Sequence, residues 1–474
     1  MIETAYDGRT ISFVATSRND DHGGDVLRRT QSFVNGLARQ CERHGLKGEL
    51  ILVDWNPPES RAPLADVLSW PAGSEWFTAK VVTVPPEVHR TLPNGRSLAM
   101  FQMIAKNVGL RRASGDFLVA TNIDILFSDE LMEWMKTADL QDRVVYRSDR
   151  WDIPNDIQLE PDFDRLLTRA RTETIRRNLL EGTVDVVEGQ AVAPAYKRVD
   201  NLLLFPLQHG LLQIRAALDR GEDVRAMVDQ LLGEALPALR RFYLTPPVHL
   251  NGCGDFTLLS AASWQDLRGY PEWPIFSWNI DSITLCHAVC SGYAHVEAGA
   301  DAVHFHIEHD HGSGYTPAGA DSLWRRMDQR SIPLINWEDF RSLVLEMEED
   351  FTAKRRIDFN DPDWGMAGID LPVRSLASPG MSPRAPLACE FAKLKEPFDA
   401  TGLASAVLLV ADADTSRSRS AEIRWVEGQA LIRLRMPANE YAYGVVWETA
   451  DRSEERRVGK ECRLRCRSRW SPYH

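Results

Sequence analysis

Lys106–Asp129 reads KNVGLRRASGDFLVATNIDILFSD, and its succession of helix, turn, apolar run and acidic tip decides the fold class. A helical pattern beginning near Ser97, with Ser97 as its expected N-cap, carries Lys106-Asn107-Val108-Gly109. Ser114-Gly115-Asp116 breaks that pattern, since glycine tolerates the left-handed conformation that ends many helices. Phe117-Leu118-Val119-Ala120 is short and apolar, as a buried strand should be. Thr121, Asn122 and Asp124 then stand where this strand leaves its sheet. Ligands of open α/β sheets bind at the carboxyl ends of strands, so chemistry is expected at this tip.

Outward from this stretch the same grammar repeats. Ile11–Thr16 is an apolar strand, followed by the polar loop Ser17–Gly24 and a helix with apolar positions at Val26, Leu27, Phe33, Val34, Leu37 and Ala38. Glu49–Val53 is a second strand ending at Asp54-Trp55-Asn56, Val81–Val84 a third, and Val144–Arg147 a further one. Strand, loop, helix, strand is the opening of a right-handed parallel unit. The fold class is therefore α/β, a Rossmann-like mixed sheet flanked by helices. There is no Gly-x-Gly-x-x-Gly and no P-loop, which argues against a dinucleotide or ATP site.

A helix with Asn107-x-Gly109, then Ala113-x-Gly115-Asp116, an apolar strand and the tip Asn122-x-Asp124 resembles GT-A-fold glycosyltransferases, especially the family 2-like ones, over about residues 1–330. In those enzymes the tip is usually Asp-x-Asp and holds the metal bound to a sugar nucleotide's diphosphate; Asn122 departs from that pattern. The resemblance implies that Thr16, Arg18 and Asn19 contact the nucleotide, that Asp54 binds base or ribose, and that Asn107 and Asn122 lie near the donor. It also implies a nucleotide-sugar donor, expected to be UDP-linked, and a saccharide or other hydroxyl acceptor. Plainer readings stand beside these. Asp54 also reads as a cap or turn residue before Pro57-Pro58, and Arg18 as half of a surface ion pair.

Asn251–Tyr293, NGCGDFTLLSAASWQDLRGYPEWPIFSWNIDSITLCHAVCSGY, resembles the second half of such enzymes: a strand, a Gly-Tyr turn, and an acid opening a helix. The resemblance makes Asp281 the general base of an inverting transfer and Asp255 a contact to the donor sugar. Asp281 reads equally as a helix N-cap, and most of the aromatic cluster Trp264, Tyr270, Trp273, Phe276 and Trp278 as core. Val303–Gly312, VHFHIEHDHG, carries four histidines in eight residues. On a strand, alternation puts His304 and His306 on one face, so both could bind one ion. The resemblance places one of them with Asp124 around Mn²⁺ or Mg²⁺. If the histidines are instead the centre of the chemistry, the chain reads as a metal-dependent hydrolase or oxygenase built on His304–His311. Asn122 keeps a third reading open, a non-catalytic nucleotide- or sugar-binding protein.

Composition bounds these readings. A net charge of −13 over 474 residues argues against nucleic acid as a general partner. No apolar run is long enough to span a bilayer, which leaves room only for peripheral membrane contact. Met1–Arg9 is polar, so a cytoplasmic location is the expectation. Residues 150–245, with helical periodicity over Asp162–Leu180 and Leu211–Tyr243, read as an insertion; 331–378 read as a helical and loop extension, with Ser375–Pro386 as a linker. Short strands across 379–451 suggest a small, incomplete β-sandwich. Arg452–His474, eight Lys/Arg against three Glu, resembles translated sequencing-adapter DNA and is set apart as an artefact with its Cys462 and Cys466. Cys41, Cys253, Cys286, Cys290 and Cys389 read as reduced, mostly buried thiols; Cys286 and Cys290, one helical turn apart, are two small residues on a buried helix face.

Overall fold

The computed structural model describes residues 7–386 apart from 21–24, 161, 187–188, 190, 195–204, 243–247, 310–324, 326 and 385, and beyond them strand backbone alone. From the amino end the chain runs β1 (Thr10–Ser17), α1 (Val26–His44), β2 (Lys47–Trp55), α2 (Leu64–Val67), β3 (Phe77–Val84), α3 (Pro86–Thr91), α4 (Gln102–Arg111) and β4 (Phe117–Thr121). There follow β5 (Ile125–Phe127), α5 (Asp129–Thr137), β6 (Val144–Arg147), β7 (Arg150–Ile153), α6 (Phe163–Thr172), β8 (Arg176–Leu179), β9 (Gly182–Asp185) and β10 (Ala191–Pro194). Next come α7 (Phe205–Asp219), α8 (Arg225–Phe242), β11 (Phe256–Ser260), α9 (Ala261–Leu267) and α10 (Ile280–Cys290). The series closes with β12 (Ala294–Glu297), β13 (His304–Ile307), α11 (Trp337–Thr352) and β14 (Val373–Ala377).

The expected α/β class holds. Eight strands form a mixed sheet in the order β12-β6-β11-β4-β1-β2-β3-β14. Strands β4, β1, β2 and β3 are parallel, β6 and β12 are parallel to each other, and β11 and β14 run antiparallel to their neighbours. Successive residues of a strand face opposite sides. Phe13, Leu50, Leu52 and Val119 accordingly join the core under α1 and α5, while Val14, Ile51, Val53 and Leu118 join the core under α4 and α10. Covering both faces is what turns these strands into continuous apolar runs rather than alternating ones.

The deciding stretch folds as helix, turn and strand, with two corrections. The helix begins at Gln102, and Ser97 lies in turns before it, one of them made by Asn94 at φ 59°. Gly115 is not a left-handed cap; a Cβ there would run into Ser12 Oγ and the Thr10 carbonyl, so glycine serves close approach of the turn to β1. Gly109 works similarly, since a Cβ would press into Val14 and Val53 where α4 lies on the sheet.

A second, six-stranded sheet runs β10-β9-β8-β7-β13-β5. Its first four strands belong to the stretch read as an insertion. Arg176–Leu179, inside the expected helix Asp162–Leu180, is strand β8, because pairing with β7 overrides local periodicity. The segment beyond residue 330 belongs to the same body. Phe340, Val344 and Met347 of α11 pack on Ile283, Cys286 and Cys290 of α10, the bland reading of those two cysteines. The expected linker Ser375–Pro386 is corrected at its start: Val373–Ala377 is the edge strand beside β3, and Trp70 bridges to Arg384, because pairing with β3 overrides the Pro/Ser composition. No disulfide joins Cys41, Cys253, Cys286 or Cys290; Cys389 lies outside the described residues. Backbone strands between Phe391 and Arg465 pair into two four-stranded antiparallel sheets. Most of Arg452–His474 lies outside the described residues. Among those described, no helix is long and apolar enough to cross a membrane.

Candidate active site

The tip after β4 meets the end of β13. Ile307 donates its backbone N–H to the Asp124 carbonyl at 2.9 Å, and pairing sets His306 opposite Ile125 on one side and Asp152 on the other. Asp124 Oδ2 lies 3.1 Å from His309 Nε2, 3.9 Å from His306 Nε2 and 3.4 Å from Arg29 Nη1. One ligating atom from each of Asp124, His306 and His309 falls within 4.8 Å of the other two. In a six-coordinate shell with bonds of about 2.1 Å, neighbouring donors are roughly 3 Å apart and opposite ones roughly 4 Å, so the set fits one Mn²⁺- or Mg²⁺-sized ion. Asp124 Oδ1 supports the fit, being buried without a hydrogen-bond partner. Burial alone would raise the Asp124 pKa, but the His309 hydrogen bond, His306 and Arg29 outweigh it and hold the carboxyl well below its usual range. His306 is oriented from behind, its Nδ1 lying 3.1 Å from Asp152 Oδ1.

His304 is not part of this set. The group whose ligating atoms converge takes His309 in its place. His304 instead sits deeper, its Nδ1 2.7 Å from Ser148 Oγ and its ring stacked on Phe256. His309 takes the place expected of it because the strand ends at Ile307 and the chain turns back toward Asp124. Its only signal in the sequence was membership of the histidine cluster, of which His311 lies outside the described residues.

Beside the triad, charge is distributed through a buried chain of groups. Asn122 donates to Asp255 Oδ1 at 2.5 Å and accepts from Gln102 at 2.9 Å. Arg150 reaches Asp255 Oδ2 at 2.8 Å and Asp152 Oδ1 at 2.6 Å. Asp152 also accepts from Arg176 and Asn178, and Arg176 pairs with Glu308. This explains the amide at position 122, where an acid would meet Asp255 with like charge. Asn122→Asp is expected to cost roughly 2 kcal/mol of stability at pH 7.5. Against the effect of burial, Arg150, His306 and His304 hold Asp255 below its usual range, so the introduced acid would carry the raised folded pKa. Its stability is then full below the unfolded value of about 3.9 and lost as pH rises. The Tm deficit of Asn122→Asp should therefore shrink from pH 8 to pH 5; a deficit independent of pH would refute this account.

Lys106 and Asp281 complete the floor. Lys106 is fully buried and donates to the Gly254 carbonyl at 2.5 Å. Burial lowers its pKa against Asp255, Asp281, Cys253 and Asp124, all of which favour its charge. Asp281 is not the N-cap of α10; that position is Asn279, in the left-handed conformation at φ 64°. Its Oδ1 accepts from the Ser282 amide at 2.9 Å, and a Cβ on Gly254 would come 2.9 Å from its Oδ2. Burial raises the Asp281 pKa, opposed by the Ser282 amide, Cys253 and Lys106.

A second group of polar atoms collects at the tips of β1 and β2. Thr16 Oγ1, Ser17 Oγ, Asn19 Oδ1 and Asp54 Oδ1 are buried without hydrogen-bond partners, as is Thr121 Oγ1 at the end of β4. Buried polar atoms are nearly always satisfied, so such a cluster calls for ordered water or a bound polar group. Asp54 Oδ2 accepts from the Leu64 amide at 2.9 Å, and burial pushes its pKa up to about 7 against that bond and Arg18. Arg18 pairs with Asp20 and bonds the Asn56 carbonyl, and Asn19 donates to Ala62. Both readings of Asp54 and Arg18 thus have a physical basis, anchoring the loops while lining the tip.

Asn107 lies elsewhere in purpose. It is fully buried, accepts from the Tyr270 amide, and donates to the Tyr270 carbonyl and Glu272, latching the turn after α9. Arg112 likewise binds the carbonyls of Gly365, Met366 and Ile369, and Arg111 stacks on Trp364. The residues that spacing did not single out are His309, Asp152, Lys106, Arg29 and Arg150.

No family model and no curated protein matches the sequence. Among solved structures, similarity is found to a mannosyltransferase from Pyrobaculum calidifontis in complex with GDP-Man and Mn²⁺, at 12% identity and TM-score 0.31, covering 74% of this chain and 77% of that one. Glucosyl-3-phosphoglycerate synthase from Mycobacterium tuberculosis, in complex with phosphoglyceric acid, gives 14% identity and TM-score 0.29 over 69% of this chain and 82% of that one. GalNAc-T7 with UDP, GalNAc and Mn²⁺ gives 10% and 0.30 over 73% and 55%. Similarities of this size carry no functional weight here.

Proposed function

We propose that the chain is a metal-dependent glycosyltransferase that moves a sugar from a nucleoside-diphosphate donor, UDP-linked by the resemblance noted above, to a hydroxyl acceptor. The observation that carries this reading is the convergence of Asp124, His306 and His309 beside the unsatisfied polar atoms at the tips of β1, β2 and β4. A base and ribose would take the Thr16, Asn19 and Asp54 end, and the diphosphate the Asp124 end. Asp124, His306 and His309 would hold the ion, which when bound neutralises charge building on the departing diphosphate. Lys106 and Arg29 keep positive charge close to the same acids in a site shielded from water. Asp281 would accept the acceptor hydroxyl's proton as its oxygen bonds the anomeric carbon; the bond to the diphosphate oxygen breaks and that oxygen keeps the electron pair. Direct displacement of this kind inverts the anomeric centre.

Thermal unfolding with a panel of nucleoside diphosphates, with and without Mn²⁺, tests the proposal. A ligand at about 100 times its Kd adds about 2.7 kcal/mol, a Tm rise of several degrees. A Mn²⁺-dependent shift with one base supports the transferase and names the donor class. No shift with any nucleotide, and a Mn²⁺-only shift that Asp124→Asn removes, would overturn it and favour a hydrolase or oxygenase centred on the histidines.

A further inference from the structure

We propose that Asp149, His249 and Glu297, with His295 beside them, form a second divalent-cation site, separate from the one at Asp124. Asp149 lies in the two-residue link between β6 and β7, and Glu297 is the last residue of β12, paired with Arg147 at the end of β6. His249 comes from the segment leading into β11 and has a side chain with no solvent exposure. His249 Nδ1 is 3.0 Å from Glu297 Oε2 and 3.9 Å from Asp149 Oδ1, and one ligating atom from each residue lies within 4.8 Å of the other two.

Three further observations point to a cation rather than to an internal ion pair. Neither carboxylate has a lysine or arginine within ion-pairing distance among the described residues. Arg147, the nearest buried cation in sequence, gives its Nε and Nη2 to the His249 and Asn251 carbonyls and makes no ion pair with either acid. Asp152 differs, since Arg150 and Arg176 already neutralise it. Second, His295 Nε2 and Glu297 Oε1 approach to 3.1 Å yet are not aligned for a hydrogen bond, and both are buried without a partner. The His295 side chain is only 5% exposed. Third, burial together with Glu297 and Glu181 pushes the Asp149 pKa up to about 7 against Arg147 and Arg177, as expected where acids crowd. Asp149 and Glu297 keep partial exposure, which gives an ion a way in.

The donor set is imidazole and carboxylate, which suits first-row divalent ions. Binding takes the Nδ1 lone pair of His249 and places its ring proton on Nε2. The ion would tie the carboxyl ends of β6 and β12 to the segment before β11, next to the Ser148–His304 contact.

The test counts Mn²⁺ bound by the chelator-stripped full-length protein, reading free Mn²⁺ by electron paramagnetic resonance. Mn²⁺ is chosen because thiols such as Cys462 and Cys466 compete poorly for it. One equivalent should survive Asp124→Asn and be lost on Glu297→Gln, with Asp149→Asn weakening it at least tenfold. Circular dichroism and Tm check each variant, and Asp149→Asn, the smaller change, decides if Glu297→Gln fails to fold. A wild-type count that Asp124→Asn reduces to zero, or a count untouched by both Glu297→Gln and Asp149→Asn, overturns the proposal. Because the count is read in Asp124→Asn, it stands or falls apart from the transferase reading.

Discussion

Asp124→Asn is expected to abolish the Mn²⁺-dependent Tm shift with nucleoside diphosphate and to lower turnover by about 10³-fold or more. The magnitude follows from the several kcal/mol a bound cation contributes at a departing phosphate, with about 1.4 kcal/mol for each tenfold in rate. The amide keeps the size of the side chain but offers a poorer ligand and leaves His306, His309 and Arg29 without the charge they face. The companion comparison is sharper. His309→Ala should reproduce the loss of metal dependence, whereas His304→Ala should leave metal affinity within a few-fold and lower Tm, since His304 packs on Phe256 and bonds Ser148. Equal loss of metal in both variants would mean that the ion sits deeper along β13 than the Asp124–His309 contact places it.

Asp281→Asn is expected to lower kcat by 10²–10⁴-fold with the donor KM little changed, the usual range for a positioned base. The pH profile gives the more specific readout. A base must be ionised, so the wild-type rate should rise with pH and level off above the Asp281 pKa, which burial has raised. The acid limb should therefore lie above the ordinary aspartate value of about 3.9 and vanish in Asp281→Asn. A variant that keeps both the limb and the rate would remove Asp281 from the chemistry and return it to holding the start of α10.

Much of this was legible in linear order, and the failures share a pattern. The strands Ile11–Thr16, Glu49–Val53 and Phe117–Ala120 were readable because burial on both faces leaves an unmistakable apolar run. Asp124 and Asp54 were readable as strand tips. The partners of Asn107 are not legible in linear order, because an amide's role depends on what lies opposite, here a turn 163 residues away. Arg176–Leu179 reads as helix in isolation because its pairing partner lies about 25 residues away in sequence.

The α/β class, the parallel core and the position of the acidic tip follow from the order of residues, because periodicity, glycine placement and the handedness of connections act over neighbouring positions. Which histidine meets Asp124, which acids are neutralised by Arg150 and Arg176, and which collect around His249 were decided by packing. Alternation along β13 could name a face, but the turn after Ile307 set the distance. Coordination and charge balance depend on separations of a few ångströms between remote segments, and those exist only once the sheets have paired.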